Sequence, residues 1–279
     1  MIKLIAIDLD GTLLNENKEI TPETKEALTK AKAKGVKVVL CTGRPLLGMA
    51  HFLEELNLKE EGDYGITYNG GLVQKTQTGE VLSQKTLTKA QIEELYQLTN
   101  ELQVPLNFID LVQVYAPPYP ENRESLYGGI MKALPMVPTT MADLPEDAEF
   151  NKAVIAVDVA ILDEAIAKIP VEFTEKYTMM KSRPVLLEVL NKEVDKGRGL
   201  AVLCDLLDIK PEEVMALGDE ENDLAMIQFA GLGVAMGNAT EEVKKVAQFV
   251  TKSNHENGVA YAVEKFVLNE ETFNSHSNA

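Results

Sequence analysis

Short apolar runs recur along the chain, and each gives way to polar or acidic residues. The first covers Leu4 to Ile7, a second covers Val36 to Cys41, and a third, further along the chain, covers Val214 to Asp219 and ends in that acid. Continuously apolar runs of this length are typical of strands that are buried on both faces of a parallel sheet. Between the first two runs, Thr21-Pro22 is a helix start and Gly35 is a helix end. This strand–helix–strand order predicts a right-handed βαβ unit.

The alternation is lost in the middle of the chain. Between about Val81 and Val194, strands and helices of mixed type follow one another, and the alternation then returns. We therefore predict an α/β domain with a doubly wound, mostly parallel, Rossmann-like sheet that is built from both ends of the chain, together with an inserted α+β domain. We place the first core segment at residues 1–82, the insert at 83–192 and the second core segment at 193–279.

The chain is strongly acidic. Its 279 residues carry a formal net charge of −17, which argues against nucleic acid or an anionic membrane as the main partner, because both require a basic surface. No apolar run approaches the length of a transmembrane helix, and the first residues lack the pattern of a signal peptide. Cys41 and Cys204 both lie in apolar sequence and are expected to be buried, free thiols. We therefore expect a cytoplasmic protein.

Polar side chains follow three of the predicted core strands at the point where each strand ends. In open α/β sheets, ligands bind beyond the carboxyl ends of the strands, so these side chains are candidates for a shared site. Lys196, which opens the helix after the insert, is a further candidate. The strand-end residues are Asp8 and Asp10 after the first strand, Thr42, Gly43 and Arg44 after the second, and Asp219, Asn222 and Asp223 after the strand that ends near Leu217.

Three of these carboxylates, on Asp8, Asp10 and Asp219, predict a cation site. Two like charges about 4 Å apart repel by about 4 kcal/mol near a protein surface, and a cation removes that repulsion. Oxygen ligands without His or Cys favour a hard ion, so we predict Mg²⁺ in preference to Ca²⁺.

The remaining groups point to a phosphate. The Lys196 ammonium, the Thr42 hydroxyl and the N–H at Gly43 form a candidate anion pocket beside the ion. Two routes are open: attack by metal-activated water or attack by a carboxylate. The paired Asp8 and Asp10 favour the second route, in which one carboxylate attacks phosphorus and the other transfers protons. Taken alone, Lys196 is more often a solvated lysine, but its joint placement with the strand-end acids favours a site.

Four motifs in this order resemble those of the haloacid dehalogenase-like superfamily, and within it the Cof-type phosphatases. They are DLDGTLL from Asp8 to Leu14, CTGRP from Cys41 to Pro45, DKGRGL with Lys196, and GDEEND from Gly218 to Asp223. The YNGG segment from Tyr68 to Gly71 is similar as well. Within this group the sequence most resembles the bacterial sugar phosphatases.

The resemblance implies roles for the acidic residues. Asp8 is expected to be the nucleophile and a Mg²⁺ ligand. Asp10 is expected to be the acid and base, and to bind the ion through its backbone carbonyl. Asp219 is expected to be the third protein ligand. Asp223 is expected to contact the ligands without binding the ion itself.

The resemblance also implies how substrate is held. The insert is expected to be a cap that closes over the site, excludes water and selects the leaving group. Candidate substrate contacts are Arg44 and Asn69. The groups expected to hold the phosphoryl group are Thr42, Lys196, Asn222 and the backbone N–H groups of Leu9 and Gly43.

Several functions are compatible with these residues. The first is a Mg²⁺-dependent phosphatase that acts on small phosphorylated metabolites, especially sugar phosphates. The second is a phosphotransferase or phosphomutase, in which the phosphorylated aspartate passes its group to another hydroxyl. The third is a phospho-accepting signalling module, although such modules are single domains with no large insert. A binding module that has lost catalysis would need a missing catalytic group, and none of Asp8, Asp10, Lys196 and Asp219 is missing.

Overall fold

The computed structural model describes residues 1–269, and the chain divides into two compact units. Among these residues, the core unit contains those up to Ser83 and those from Asp195 to Asn269, and the inserted unit runs from Gln84 to Val194. Among the described residues, none of the helices combines the length and apolar character that crossing a bilayer needs.

The secondary structure alternates in the core unit and is mixed in the inserted unit. The strands are, in chain order, β1 (Leu4–Ile7), β2 (Lys37–Cys41), β3 (Tyr64–Thr67), β4 (Leu72–Lys75), β5 (Val81–Gln84), β6 (Leu87–Thr88), β7 (Asn107–Ile109), β8 (Val114–Ala116), β9 (Met136–Pro138), β10 (Glu149–Phe150), β11 (Lys152–Ala156), β12 (Tyr177–Arg183), β13 (Leu186–Asn191), β14 (Val214–Gly218), β15 (Leu232–Ala235) and β16 (Phe249–Val250). The α-helices are α1 (Pro22–Ala33), α2 (Ala50–Glu55), α3 (Lys89–Glu101), α4 (Tyr127–Ile130), α5 (Val159–Ala167), α6 (Val171–Lys176), α7 (Lys196–Leu207), α8 (Leu224–Phe229), α9 (Glu241–Val246) and α10 (Gly258–Val263).

The core unit is built on an eight-stranded sheet in the order β16-β15-β14-β1-β2-β3-β4-β5. The strands from β16 to β3 are parallel, and β4 pairs antiparallel with β3. Ile7 of β1 is in register with both Leu217 of β14 and Leu40 of β2. The carboxyl ends of these three strands therefore meet at one edge of the sheet, as the predicted doubly wound, mostly parallel fold requires.

Helix α1 shows how the sequence sets these elements. The Thr21 hydroxyl accepts a hydrogen bond from the N–H of Thr24, and proline occupies the start of the helix. Ala27, Leu28 and Ala31 are buried on the inner face. Gly35 then takes a left-handed φ of +86° directly before β2, where a residue with a Cβ atom would be strained.

The inserted unit is an α+β structure, as predicted. Its main sheet has the order β12-β13-β11-β7-β8-β9, and all neighbours except β8 and β9 are antiparallel. Side chains from one face of this sheet, such as Phe108 and Ile155, share a buried cluster with Leu95 of α3 and Leu162 of α5. The unit therefore has its own hydrophobic core, which is the usual mark of a domain.

Some predicted elements differ in detail. The segment from Tyr64 to Val73, for which the sequence predicts a strand with a Gly-rich turn at Asn69-Gly70-Gly71, is a hairpin of two strands, and Tyr68, Asn69 and Gly70 take positive φ angles where the chain reverses. The predicted last helix, Val259 to Leu268, is α-helical only to Val263 and continues as a π-helix over Glu264–Leu268. Cys41 and Cys204 are buried and free, as expected.

Candidate active site

The site begins where β1 ends. The N–H of Asp8 donates to the carbonyl of Leu217 at 3.1 Å, so the parallel pairing of β1 with β14 extends one residue beyond the strand. This pairing brings Asp8 beside Asp219, which follows β14, and only 7% and 6% of their surfaces are exposed. Two carboxylates from distant parts of the chain are thus buried at one sheet edge.

Lys196 lies between two of the carboxylates. Its Nζ donates to Oδ1 of Asp8 and to Oδ1 of Asp223, both at 2.6 Å, and the side chain has no solvent exposure. Burial alone would lower the pKa of Lys196, but the charges of Asp223 and Asp8 outweigh it and raise the pKa well above its usual value. The lysine therefore stays charged and holds one oxygen of Asp8 in a fixed place.

The start of α7 is set by close backbone contacts. Asp195 caps the helix by accepting the N–H of Arg198 at 2.7 Å. Gly70 of the YNGG turn lies so close to this point that a Cβ atom there would come within 2.0 Å of the Asp195 carbonyl oxygen. The turn after β3 is thus packed against the residue that precedes Lys196.

Three acids form a cluster that could hold a cation. One carboxylate oxygen from each of Asp8, Asp219 and Asp223 lies within 4.8 Å of the other two. The Thr12 hydroxyl donates to Oδ1 of Asp219 at 2.8 Å. Oδ2 of Asp223 accepts the N–H groups of Asp219 at 2.9 Å and Glu220 at 3.1 Å. Every carboxylate in the cluster is therefore oriented by a specific donor.

The electrostatics of the cluster fit a divalent ion. Burial raises the pKa of Asp8 well above its usual value, and the charge of Asp223 adds to the shift. Burial and the same charge raise the pKa of Asp219 to about 7. Buried, crowded carboxylates of this kind are costly when ionised, and a hard cation with oxygen ligands offsets that cost.

Two glycines make room for the acids. Gly11 has a φ of +84°, and a Cβ atom there would lie 2.2 Å from Oδ2 of Asp219. At Gly218 a Cβ atom would lie 2.5 Å from the Cβ of Asp223. The glycines of the first and fourth motifs are therefore required by close approach to the acidic cluster.

The Asp10 carboxylate is bound by cations. Arg44 donates to Oδ1 and Oδ2 from Nη2, both at 2.8 Å, and to Oδ2 from Nε at 3.2 Å. The Lys18 ammonium donates to Oδ1 at 3.0 Å. Burial would raise the pKa of Asp10, but Arg44 and Lys18 outweigh it and lower the pKa. Arg44, predicted as a candidate substrate contact, therefore forms an ion pair with Asp10 in this structure.

The predicted phosphate-binding residues from β2 lie beside this pair. The Thr42 side chain is buried, its hydroxyl accepts the N–H of Arg44 at 3.1 Å, and its carbonyl accepts the N–H of Asn69 at 3.0 Å. Asn222 donates from Nδ2 to Oδ1 of Asn69 at 3.1 Å. Leu9 is fully buried between the two motif aspartates, and Gly43 connects Thr42 to Arg44.

The structure thus brings most of the sequence-predicted residues together within the core unit. Asp8, Lys196, Asp219 and Asp223 share direct or near contacts, and Asp10 with Arg44 forms a second group. The prediction did not assign the partner of Thr12, although the Asp-Gly-Thr motif contains it. It also missed Lys18, which lies in a polar stretch whose pattern gives no signal for a site.

Comparison with known proteins identifies the family. The model of the haloacid dehalogenase-like hydrolases matches residues 5–263. The chain belongs to this family. The Bacillus subtilis protein YxeH, whose name gives phosphatase as an assumed activity, is 46% identical over 96% of this chain and 99% of its own.

Two further family members carry more specific names. The Bacillus subtilis protein YcsE, named as a 5-amino-6-(5-phospho-D-ribitylamino)uracil phosphatase, is 34% identical over 96% of each chain. A solved structure of the protein BT4131, described as a subclass IIB sugar phosphatase of this superfamily, superposes with a TM-score of 0.78 at 27% identity. That match covers 95% of this chain and 98% of the other, so it includes both the core and the inserted unit.

Proposed function

We propose that this protein is a Mg²⁺-dependent phosphatase that hydrolyses small phosphorylated metabolites through a phosphorylated Asp8. The observation that carries the proposal is the placement of Asp8 between the buried Lys196 ammonium and the acids Asp219 and Asp223. A carboxylate in that position can face a phosphate whose charge is balanced from both sides. The names of the relatives support a phosphatase, because YcsE and BT4131 are both described as such.

Asp8 is the nucleophile of the first step. Its free oxygen attacks phosphorus, the bond to the leaving oxygen breaks, and the electron pair leaves with that oxygen. Lys196 holds the other oxygen of Asp8 and offers its remaining N–H groups to the phosphoryl oxygens. Asp8, Asp219 and the backbone carbonyl of Asp10 would hold Mg²⁺, with Asp223 behind them. Mg²⁺, when bound, supplies positive charge to the phosphoryl oxygens and to the acids around them.

Asp10 moves the protons. In the first step its carboxyl group gives a proton to the leaving alcohol. Against the effect of burial, Arg44 and Lys18 lower the pKa of Asp10 in the substrate-free structure, so we propose that the negative charge of the bound phosphate opposes them and favours the protonated form. In the second step the resulting carboxylate takes a proton from the water that attacks phosphorus, inorganic phosphate leaves and Asp8 is regenerated. Thr42, Asn222 and the N–H groups of Leu9 and Gly43 complete the pocket for the phosphoryl group, and Arg44 and Asn69 are the proposed substrate contacts beside it.

Sugar phosphates are the substrate class we propose. The likeness to BT4131 supports it, whereas YcsE indicates that a phosphorylated ribityl compound is a second class worth testing. Both are alkyl phosphates, whose leaving oxygen needs a proton, so Asp10 has the same role for each. We also propose that the enzyme acts in the cytoplasm on these small molecules, because both of its thiols are free and no disulfide is needed for its core.

The test is phosphate release by the purified protein from sugar phosphates, ribityl phosphates, nucleotides and p-nitrophenyl phosphate. Turnover should require Mg²⁺, stop with EDTA and return when the ion is restored. Asp8→Asn should abolish turnover and leave the circular dichroism spectrum unchanged. Turnover by Asp8→Asn would refute the assignment of the nucleophile. Transfer of phosphate to a second sugar in place of release to water would show a phosphotransferase or mutase, and a long-lived phosphorylated Asp8 would show a signalling module.

A further inference from the structure

A buried ion pair lies in the inserted unit, on the face of its main sheet opposite the cluster shared with α3 and α5. The Lys152 ammonium of β11 donates to Oε1 of Glu188 on the neighbouring strand β13 at 2.7 Å, and only 2% and 4% of the two residues are exposed. Ala153 and Ile155, which alternate with Lys152 along β11, belong to the cluster on the other face. The pair is therefore separate from the apolar core of the unit.

A buried tyrosine, Tyr127, lies beside this pair. It is 1% exposed, and its hydroxyl forms no hydrogen bond with any residue that the structure describes. Burial raises the pKa of Tyr127, and Lys152 is close enough to oppose this shift, although its ammonium is not placed for a hydrogen bond with the phenol. A buried hydroxyl that has lost its bonds to water is unfavourable. A ligand that bonded to this hydroxyl would therefore remove an unfavourable feature of the fold.

The helix that carries Tyr127 is weakly built. Helix α4 has four residues, and two of them are Gly128 and Gly129. Neither glycine takes a positive φ, a Cβ atom at Gly129 would meet nothing within 4 Å, and one at Gly128 would make only ordinary contacts with Met136. Inside a helix, only proline is less favourable than glycine. The sequence therefore weakens α4 at positions where the packing would admit a side chain.

The chain is fixed to the sheet just before this helix. The N–H of Leu126 donates to the carbonyl of Ala156, the last residue of β11, at 2.9 Å. The N–H of Tyr127 donates to the Ser125 hydroxyl at 3.1 Å, and that hydroxyl donates to Oδ1 of Asn107 in β7 at 2.6 Å. Local opening of α4 can therefore occur about an anchored end, without unfolding of the sheet below it.

We propose that Lys152, Glu188 and Tyr127 form a binding site for a small polyhydroxylated molecule, which enters when α4 opens. The ammonium and the carboxylate carry no net charge together, so the site favours a neutral ligand over an anion or a metal ion. A hydroxyl group both donates and accepts, so one can bond to both members of the pair and a second can bond to the phenol. Val154 and Met180 lie opposite Glu188 on the neighbouring strands and offer apolar contacts to the carbon skeleton.

The first experiment measures the opening of α4. Hydrogen–deuterium exchange with mass spectrometry follows the backbone amides of residues 127–131 in the whole protein. Tyr127→Phe removes the unsatisfied hydroxyl, which favours the closed state, and it should slow this exchange about tenfold. Gly129→Ala strengthens the helix without contacting the pair, and it should slow the exchange about fivefold.

Tyr177→Phe is the matched control. Tyr177 is also a buried tyrosine of the inserted unit, but its hydroxyl donates to Oε2 of Glu94 at 2.6 Å. Loss of that bonded hydroxyl should lower the urea midpoint of the inserted unit, whereas Tyr127→Phe should raise it. A lower or unchanged midpoint for Tyr127→Phe would show that the phenol has a partner, such as a buried water, and would overturn the inference.

The second experiment measures binding with EDTA present, so that it does not depend on turnover. Ribitol, glucose and glycerol are titrated into the protein and detected by saturation-transfer NMR. Because the ligand binds the open state, it should speed exchange at residues 127–131. Gly129→Ala should raise the dissociation constant by the factor by which it slows exchange, about fivefold. Tyr127→Phe should raise it at least about tenfold, and Tyr177→Phe should bind as the wild type does.

The same chemistry has two sources, and the titrations separate them. Faster exchange with the free polyols would identify a separate ligand. Faster exchange with sugar phosphates alone would identify the hydroxylated part of a phosphorylated compound. No change at residues 127–131 with either class would overturn the site. The inference goes beyond the proposed phosphatase function and does not rest on it, so a protein that releases no phosphate would refute only that function.

Discussion

Replacing Lys196 with methionine tests the charge balance of the site. Methionine is similar in length and apolar, so the main change is the loss of the ammonium that joins Asp8 to Asp223. Lys196 is completely buried, and removal of one partner from a buried ion pair costs about 3–5 kcal/mol. Two carboxylates lose their counter-charge here, so we expect a loss of about 5 kcal/mol, a large fraction of the stability of an ordinary domain.

Urea unfolding at neutral pH with EDTA present measures this loss. Lys152→Met is the matched comparison, because Lys152 is also a buried lysine that pairs with a buried acid, Glu188, at 2.7 Å. Lys152→Met should lower the free energy of unfolding of the inserted unit by about 4 kcal/mol, and its folded fraction should still release phosphate. Lys196→Met should also reduce kcat about 10²–10³-fold in its folded fraction.

A second substitution separates stability from turnover. Adding Asp223→Asn to Lys196→Met removes one of the two uncompensated charges, and it should restore about half of the lost stability without restoring turnover. If the free energy of unfolding of Lys196→Met lies within about 0.5 kcal/mol of the wild-type value, the buried contacts of Lys196 with Asp8 and Asp223 are not important for stability and the electrostatic reasoning fails.

Three further predictions concern the acidic cluster. Gly11→Ala should weaken Mg²⁺ binding at least tenfold, because its Cβ would come within 2.2 Å of Asp219. Gly35→Ala is the control: Gly35 has a similar φ but nothing within 4 Å, so this change should cost only about 1 kcal/mol of stability. Equal Mg²⁺ affinities for the two variants would contradict the steric argument. Thr12→Val should raise the Mg²⁺ concentration for half-maximal turnover about tenfold through loss of the bond to Asp219, and an unchanged titration would rule that role out. Because the pKa of Asp219 is raised to about 7, the ion-free folded state takes up protons as the pH falls through that value and becomes more stable. Mg²⁺ competes with these protons, so it should raise the urea midpoint more at about pH 8 than at about pH 5.5. An equal rise at both pH values would refute the coupling.

Sequence pattern predicted the parts of the fold that depend on local hydrophobicity. The runs around Leu4 and Val214 are apolar at successive positions because β1 and β14 are central strands, and both were assigned from that feature alone. Helix α5 was missed for the same reason. It follows β11 after two residues, and apolar residues lie on both sides of Asp158, so that single polar residue is the only change of pattern between the strand and the helix. Its Asp158 cap, which accepts the N–H of Ala160 at 3.0 Å, is recognised only once the helix is known.

The positions of the candidate site residues followed from strand ends, but their pairings did not. Placing Asp8 and Asp219 together needs only the rule that parallel strands end at the same edge. The contacts of Asp10 depend on how the loop from Asn15 to Glu19 closes and on the path of the chain from the end of β2 to Arg44. Those are consequences of tertiary packing, and Lys18 in particular has no neighbour in sequence that would indicate its contact with Asp10.

The bond between Lys196 and Asp8 joins residues separated by 188 positions. During synthesis on a ribosome, the proposed nucleophile Asp8 emerges early, and the Lys196 ammonium emerges only after the whole inserted unit has been translated. Until then Asp8 lacks the charge of Lys196, and the sheet of the nascent chain lacks β14. On the proposed mechanism, hydrolysis therefore requires the second core segment, and an incomplete polypeptide that lacks Lys196 and β14 would be inactive.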